Sequence, residues 1–115
     1  MSRKSAPWQI WMADFAPALG SEQASHRPVV VVSSPFFASF PTATAIVVPL
    51  SIQDRGLPHH VPVVPAHSGL NHPSWARTDE VRTISEQRLT GRSLGTVTDN
   101  EAANIRAYLR LMLDI

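Results

Sequence analysis

Apolar residues cluster in short runs along the first half of the chain, and each run has the length of a β-strand. Gln9 to Phe15 is rich in large apolar side chains, and Val29 to Val32 places four β-branched residues in a row. A continuous run of this kind is typical of a strand that is buried on both faces. Thr44 to Leu50 predicts a third strand. Because Pro49 cannot donate a backbone hydrogen bond, we expect that strand to be bulged or to lie at an edge near its end.

The middle of the chain continues with shorter and more polar segments. Residues 61–65 (VPVVP) predict a short edge strand, since proline is tolerated at the edge of a sheet. Residues 75–83 predict a strand that is interrupted by charges. We expect a single helical turn over residues 85–89 and a last short strand over residues 94–97.

The period of the apolar positions changes at the end of the chain. Thr98 and Glu101 have the spacing of a capping box, which marks the start of a helix. The apolar residues that follow recur at intervals of three and four, and neighbouring positions widen the stripe: Ala102, Ile105, Leu109 and Met112, with Tyr108, Leu111 and Ile115. This pattern predicts an amphipathic helix. Packing of the stripe on the core is the simpler interpretation, and a partner surface is the alternative.

Many short strands with proline-rich edges and one terminal helix predict a mainly β fold. The arrangement that fits best is a small, strongly bent sheet or barrel with the helix packed on it. The chain has 115 residues, enough for one core and too few for two, so we expect a single domain over residues 1–115. It contains no cysteine, which excludes disulfides and thiolate zinc sites.

The charge of the chain is nearly balanced, with a net charge of +1 at pH 7. This balance argues against a strongly basic nucleic-acid coat, but a local cationic patch can still steer phosphates. The N-terminal residues lack the apolar stretch of a signal peptide, and no segment approaches the roughly 20 apolar residues that span a bilayer. We therefore expect a soluble, cytoplasmic protein with no membrane partner.

Several segments together resemble one known family. Residues 8–34, WQIWMADFAPALGSEQASHRPVVVVSS, resemble the opening of the MazF/PemK/Kid family of toxin endoribonucleases, with GSEQ, then RP, then a valine-rich strand. IVVPLS at 46–51 is similar to the third strand of that family. The closing half is similar as well, with R-x-D at 77–79, then R-T-I, R-L, L-G and a C-terminal helix. The segments occur in the same order along nearly the whole chain.

The resemblance implies an SH3-like barrel of the CcdB/Kid/MazF type and a homodimer. It implies metal-independent, sequence-specific cleavage of single-stranded RNA, with no cofactor. It also implies a MazE/PemI-like antitoxin that blocks the site and a toxin that inhibits growth. We expect the loops at 16–26 and 52–60 to read the bases, because single-stranded RNA is recognised through stacking and base-edge contacts.

Cleavage without a metal requires a base for the 2′-hydroxyl, a cation for the charge on phosphorus and a proton donor for the 5′-oxygen. Arg77 and Asp79 are two residues apart in a predicted strand, so both side chains should project from one face. A carboxylate beside a guanidinium is ionised at neutral pH and can act as a base. The resemblance places the base and a phosphate-facing arginine at these positions, so we expect Asp79 to be the base and Arg77 to stabilise the phosphorane. An exposed ion pair is the alternative interpretation.

Three further positions match functional positions of the family. Arg27 matches the arginine that lies over the scissile phosphate. Ser51 matches the hydroxyl residue that closes the third strand and can bind a phosphate oxygen, although a strand-end cap is an equally good interpretation. Glu22 is an alternative base or a partner that holds Arg27. Ser21 stands where the Kid branch has a histidine, so an acid role at that position is lost.

The remaining positions where we expect RNA contacts are polar or cationic: Ser21, Gln23, His26, Gln53, His59, His60 and Arg82. The three histidines among them could also donate a proton near neutral pH. We expect no metal site. The adjacent His59 and His60 should not bind one, because neighbouring side chains point apart in an extended chain.

Two other functions remain open at this stage. CcdB-like toxins use the same barrel to poison DNA gyrase and are not enzymes, and a catalytically inactive homologue would bind RNA or an antitoxin without cutting. The combination of Arg27, Ser51, Arg77 and Asp79 favours the nuclease, because a gyrase binder needs no residues that face a phosphate.

Overall fold

The computed structural model describes residues 5–15 and 26–115, which form one antiparallel sheet and three α-helices. The strands are β1 (Gln9–Asp14), β2 (His26–Val31), β3 (Thr44–Ser51), β4 (His60–Val63), β5 (Ser74–Arg77), β6 (Arg82–Ser85) and β7 (Leu89–Thr96). The helices are α1 (Pro35–Ala38), α2 (Pro65–Ser68) and α3 (Asp99–Leu113). The mainly β fold with a C-terminal helix is confirmed.

The strand β3 is the centre of the sheet. The strands follow the order β4-β5-β3-β2-β1-β7, and β6 pairs with β3 beside this path. Along one side β3 pairs with β2, and along the other it pairs first with β6 and then with β5. This change of partner divides the sheet into two parts that share β3, and it brings the ends of β2, β3 and β5 side by side.

The valine run of β2 is buried on both faces of the sheet, as predicted. Val30 packs in one hydrophobic cluster with Ile10 of β1 and Ile105 of α3. Val29 and Val31 point to the other face and pack in a second cluster. Each buried valine contributes roughly 1.5–3 kcal/mol relative to an exposed one. The strand is therefore a rigid support for the exposed residues at its beginning.

Pro49 was expected at an edge or a bulge, but it is buried inside the sheet, and β3 pairs with β2 in continuous register up to it. It pairs with Val29 of β2. On its other side, β6 pairs with β3 as far as Val47, and β5 begins to pair at Leu50. Pro49 thus lies where β3 changes partner, at a position that belongs neither to the register with β6 nor to the register with β5.

The strand predicted over residues 75–83 is divided in the structure, and the prediction of one strand is wrong. β5 ends at Arg77, and a 3₁₀ turn (Thr78–Glu80) separates it from β6. Thr78 is fully buried, and its hydroxyl donates a hydrogen bond of 2.8 Å to the His59 carbonyl. This buried contact turns the chain where strand propensity alone would have continued it.

The other short elements agree with the sequence prediction in position. The edge strand expected over residues 61–65 corresponds to β4, which lies at one end of the strand order. The turn expected over residues 85–89 is a 3₁₀ turn (Glu86–Arg88). The last strand is longer than the predicted residues 94–97, because the pairing of β7 with β1 already starts at Leu89.

Helix α3 begins with the predicted capping box. The Thr98 hydroxyl accepts a hydrogen bond of 3.1 Å from the Glu101 N–H, and the Glu101 carboxylate accepts one of 2.9 Å from the Thr98 N–H. The same carboxylate accepts a hydrogen bond of 2.8 Å from the Val64 N–H. Glu101 therefore both caps the helix and ties it to the end of β4.

The apolar stripe of α3 is buried only in the first half of the helix. Ala102 and Ile105 are buried, and Leu109 packs partly buried against them. Leu111 and Ile115 are exposed, so core packing of the whole stripe is wrong beyond the middle of the helix. Among the described elements, α3 packs mainly on β4 and the 78–80 turn. Within residues 5–15 and 26–115, no helix combines the length and apolar character needed to cross a membrane.

Candidate active site

A groove of about 460 Å³ opens where β2, β3 and β5 lie side by side. Three arginines line it, namely Arg27, Arg55 and Arg77. The other lining residues are mainly small, polar or aliphatic: Pro28, Leu50, Ser51, Ile52, Gln53 and Ser74. Three cations in one groove create a local positive field although the whole chain is nearly neutral. The groove is therefore suited to an anionic ligand.

Arg77 is the most firmly held of these cations. Its side chain is 11% exposed, and its Nη2 donates a hydrogen bond of 3.0 Å to Ser51 Oγ. Its Nη1 donates to the Glu80 carboxylate at 3.3 Å, which supplies the countercharge that a buried guanidinium needs. Among the described residues its Nε has no hydrogen-bond partner. The guanidinium has five N–H donors, so several remain for an anion in the groove.

Ser51 caps the end of β3 and also contacts Arg77. Its Oγ accepts a hydrogen bond of 3.1 Å from the Gln53 backbone N–H, which is the strand-end cap. The same oxygen accepts the hydrogen bond from Arg77. With both acceptor positions filled, the hydroxyl proton is left to donate to a group in the groove.

Arg27 lies at the rim of the groove as the second, exposed residue of β2. It pairs with Ala13 of β1, and the following Pro28 pairs with Met12, so the chain is already part of the sheet at this point. The structure thus brings Arg27, Ser51 and Arg77 together from three different strands. This grouping agrees with the expectation for the three residues.

Asp79 does not share a strand face with Arg77, so this geometric expectation is wrong. Asp79 lies in the 3₁₀ turn, where the alternation of a strand no longer applies, and Glu80 is the carboxylate that contacts the guanidinium. Asp79 is 43% exposed, and its Oδ1 lies 3.5 Å from Nε2 of both His59 and His60. It is not one of the residues that line the groove.

His59 and His60 converge on Asp79, and the expectation that they point apart is wrong. His59 belongs to the turn before β4, so the chain is not extended between the two residues. Their rings meet edge to face, with centroids 4.7 Å apart. His60 pairs with Arg77 across β4 and β5, and directly paired residues project from the same face of a sheet. The Asp79 cluster (His59, His60 and Asp79) therefore borders the buried guanidinium.

Of the other described residues that were predicted to contact RNA, some line the groove and others lie outside it. Gln53 lines the groove. His26 stands at the start of β2, and its Nε2 is 3.9 Å from Asp14 Oδ2. Arg82 stacks over the ring of Phe15 at 4.9 Å and does not line the groove. Three positions lie outside the described residues: Ser21, Glu22 and Gln23.

The sequence profile of one family, described as the PemK-like, MazF-like toxin of type II toxin-antitoxin systems, matches residues 6–113. The chain belongs to this family. The resemblance that was seen in GSEQ, RP and the R-x-D segment is thereby confirmed.

Relatives of this toxin agree with the assignment in sequence and in fold. The endoribonuclease toxin MazF of Escherichia coli K12 is 36% identical over 104 residues, which cover 90% of this chain and 88% of that protein. The endoribonuclease EndoA of Bacillus subtilis 168 is 37% identical over 82 residues, covering 70% and 71%. A MazE–MazF crystal structure from Deinococcus radiodurans matches with a TM-score of 0.80 at 22% identity, covering 99% of both chains. At that identity the likeness shows the fold alone.

Two residues at the site of this toxin were not predicted from the sequence. Arg55 follows β3 in the loop where base contacts were expected, and its Nη2 lies 3.4 Å from Gln53 Oε1. The presence of an arginine in a polar loop that was expected to contact RNA could have indicated Arg55 as a site residue. Glu80 stands three residues after Arg77, a spacing that brings side chains together in a helical turn but not in a strand. Because a continuous strand was predicted for this segment, the contact between Glu80 and Arg77 was not expected.

Proposed function

We propose that this protein is the toxin of a type II toxin-antitoxin pair and acts in the cytoplasm as an endoribonuclease. Its substrate is single-stranded mRNA, which it cleaves at specific short sequences without a metal ion. The products are a 2′,3′-cyclic phosphate and a 5′-hydroxyl end, and the loss of mRNA inhibits translation and growth. The relatives in E. coli and B. subtilis, both named endoribonucleases, support this proposal.

The observation that carries the proposal is the fixed guanidinium of Arg77 in a groove with two further arginines. When the 2′-oxygen attacks, negative charge develops on the phosphoryl oxygens. A donor that is already held in place stabilises this charge without reorganisation. Arg27 can approach the same phosphate from the rim, and the Ser51 hydroxyl can donate to one of its oxygens.

We assign the proton transfers to the Asp79 cluster. Asp79 accepts the proton of the 2′-hydroxyl while the 2′-oxygen bonds to phosphorus. The protonated ring of His59 or His60 gives a proton to the 5′-oxygen while the bond from that oxygen to phosphorus breaks, and the ring is left neutral. Arg77 is not the acid, because arginine stays protonated in proteins. Glu22 is the alternative base.

Purified protein in EDTA is expected to cut a long single-stranded RNA into discrete fragments, because the mechanism uses side chains alone. The new ends should be labelled directly by polynucleotide kinase, as 5′-hydroxyls are. The matched control is the same RNA with a single 2′-deoxy nucleotide at the cleavage site, which should stay intact because it has no nucleophile. Cleavage that disappears on chelation would contradict the metal-free mechanism.

The same experiment separates the two other functions. A gyrase poison would leave RNA intact and inhibit DNA supercoiling, and an inactive homologue would bind RNA without doing either. The groove favours a nuclease over a gyrase poison, since a gyrase poison requires no buried arginine beside a phosphate site, and the cleavage assay separates the nuclease from an inactive homologue.

We also propose a homodimer and a MazE/PemI-like antitoxin. An acidic, partly apolar antitoxin segment would fold onto the groove, and its carboxylates would pair with Arg27 and Arg77. The MazE–MazF complex from D. radiodurans supports a partner of this kind. The exposed apolar side chains at the end of α3, Leu111 and Ile115 among them, support burial against another chain.

An acidic antitoxin peptide and an RNA oligonucleotide are expected to compete for the protein, because both require the same arginines. The competition can be followed by fluorescence anisotropy of a labelled, non-cleavable RNA. The dimer is tested separately by light scattering, where the measured mass should equal that of two chains. Arg92→Ala, which removes an exposed arginine of β7 outside the groove, is the control and should compete like the wild type. Independent binding of both ligands would contradict a shared groove.

A further inference from the structure

We propose that His59, His60 and Asp79 bind a divalent transition-metal cation of the Zn²⁺ type, and that this cation inhibits the ribonuclease. The binding site follows from the geometry of the Asp79 cluster. The inhibition rests on the proposed function, in which the same cluster transfers protons.

The ligand atoms of the cluster already converge. Nε2 of His59 and Nε2 of His60 are each 3.5 Å from Oδ1 of Asp79, and the available ligand atoms of the three residues all lie within 4.8 Å of one another. In a tetrahedral zinc site with bonds of about 2.0–2.2 Å, neighbouring ligand atoms are about 3.3–3.5 Å apart. Both histidine-to-aspartate distances therefore match a bound cation.

Ordinary hydrogen bonds explain these distances less well. An N–H···O hydrogen bond usually has a donor–acceptor distance of about 2.9 Å. Here two imidazoles face one carboxylate oxygen at 3.5 Å, and neither is close enough for a normal hydrogen bond. The three residues therefore place their ligand atoms near one another without a short hydrogen bond from either imidazole to Asp79.

The backbone holds the cluster in place before an ion binds. The His60 N–H donates to the Leu57 carbonyl at 3.1 Å, and His60 pairs with Arg77 of β5. The buried Thr78 hydroxyl donates to the His59 carbonyl at 2.8 Å. The His60 side chain is only 4% exposed, whereas Asp79 is 43% exposed and leaves the ion a route from solvent. Such rigid support lowers the cost of assembling a site.

The donor set selects the kind of cation. Two imidazole nitrogens and one carboxylate oxygen suit Zn²⁺, whereas Mg²⁺ and Ca²⁺ prefer oxygen ligands alone. Three protein ligands leave the fourth position to water. Among the described residues, His60 Nδ1 has no partner that would raise the basicity of the ring. We therefore expect reversible binding that is weaker than in a zinc site whose histidines are supported by hydrogen bonds.

Occupancy of the cluster would remove both proton-transfer groups. A carboxylate oxygen that is bonded to the cation is a poor acceptor for the 2′-hydroxyl proton. An imidazole nitrogen that binds a cation has no proton to give, since metal ligands must be deprotonated. Zn²⁺ should therefore inhibit RNA cleavage, and Mg²⁺ at the same concentration should not.

The test is a titration of the full-length protein with ZnCl₂ by calorimetry, and with Co²⁺ followed by visible absorption. We expect one ion per chain. His59→Ala and Asp79→Asn should each lower the affinity at least about tenfold. His72→Ala, an exposed histidine outside the cluster, should bind like the wild type. Circular dichroism of each variant checks that the fold is retained.

Absence of one-to-one Zn²⁺ binding, or an equal loss of affinity in His72→Ala, would overturn the inference. Inhibition of cleavage at the Zn²⁺ concentrations that saturate the titration supports the inhibitory role, and saturation without inhibition would overturn that role. If the protein in EDTA does not cleave RNA at all, the proposed function fails, while the titration still decides whether the metal site exists.

Discussion

Replacing Arg77 by alanine is expected to lower the rate of RNA cleavage by about 10²–10³-fold, as is typical when a fixed donor to a developing oxyanion is removed. The guanidinium is held by Ser51 and Glu80, so its charge and its N–H groups are in place before the phosphate arrives. The loss should fall mainly on kcat, because the donor is needed most when charge develops on phosphorus. Single-turnover cleavage of a defined RNA oligonucleotide measures the effect.

Two variants test whether the charge or the geometry of Arg77 matters. Arg77→Lys keeps the charge, but lysine cannot contact both Ser51 and Glu80 and also present a planar pair of donors to the phosphate. The activity of Arg77→Lys should therefore fall between those of the wild type and Arg77→Ala. Arg92→Ala removes one positive charge outside the groove and should leave the rate unchanged. Because Arg77 is largely buried, thermal unfolding must show that Arg77→Ala remains folded. Ser51→Ala is a smaller change and should still lower the rate of RNA cleavage. A rate for folded Arg77→Ala within threefold of the wild type would refute the role.

Replacing Gly69 by alanine is expected to produce the largest loss of stability outside the hydrophobic core. Gly69 follows α2 with φ +75°, and an added Cβ would overlap the Leu94 carbonyl oxygen and lie 2.7 Å from the Leu94 carbonyl carbon. The approach is mutual, because a Cβ on Gly95 would lie 2.6 Å from the Ser68 carbonyl carbon. Backbone atoms cannot move aside as a side chain can, so the end of α2 and β7 would have to separate.

Gly91→Ala is the matched control for this substitution. Gly91 also has a left-handed φ of +71°, but an added Cβ there meets nothing within 4 Å. Gly91→Ala should lower the free energy of unfolding only by the conformational strain of a left-handed alanine, about 1–2 kcal/mol. Gly69→Ala should lower the free energy of unfolding by about 1–3 kcal/mol more, through overpacking. Urea unfolding of both variants measures the difference, and equal losses would show that the close approach is not important.

The local elements of this protein could be predicted from the sequence because their signals are local. The valine run and the capping-box spacing of Thr98 and Glu101 depend on neighbours in the chain, and the structure confirms both. Pro49 predicts an edge or a bulge, because a missing N–H is usually tolerated only there. The structure instead places it where β3 exchanges β6 for β5, which a single sequence does not reveal.

The site was predicted only in part, because some of its contacts join residues that are far apart in the chain. Arg27, Ser51 and Arg77 were identified by the family resemblance, and they meet in the groove. The position of Asp79 relative to Arg77 was wrong and Glu80 was missed, because the sequence predicts a continuous strand where the structure has a 3₁₀ turn. This turn depends on a buried contact between Thr78 and His59, two residues that are far apart in the chain.

The family, the mainly β architecture with its terminal helix, and two of the three groove arginines, Arg27 and Arg77, could be identified from the sequence alone. These features follow from residue order and from hydrophobic periodicity. The carboxylate that contacts Arg77 and the convergence of His59 and His60 on Asp79 are visible only in the folded structure. Those contacts depend on strand register and on one buried hydrogen bond between distant segments, and neither leaves a periodic pattern in the chain.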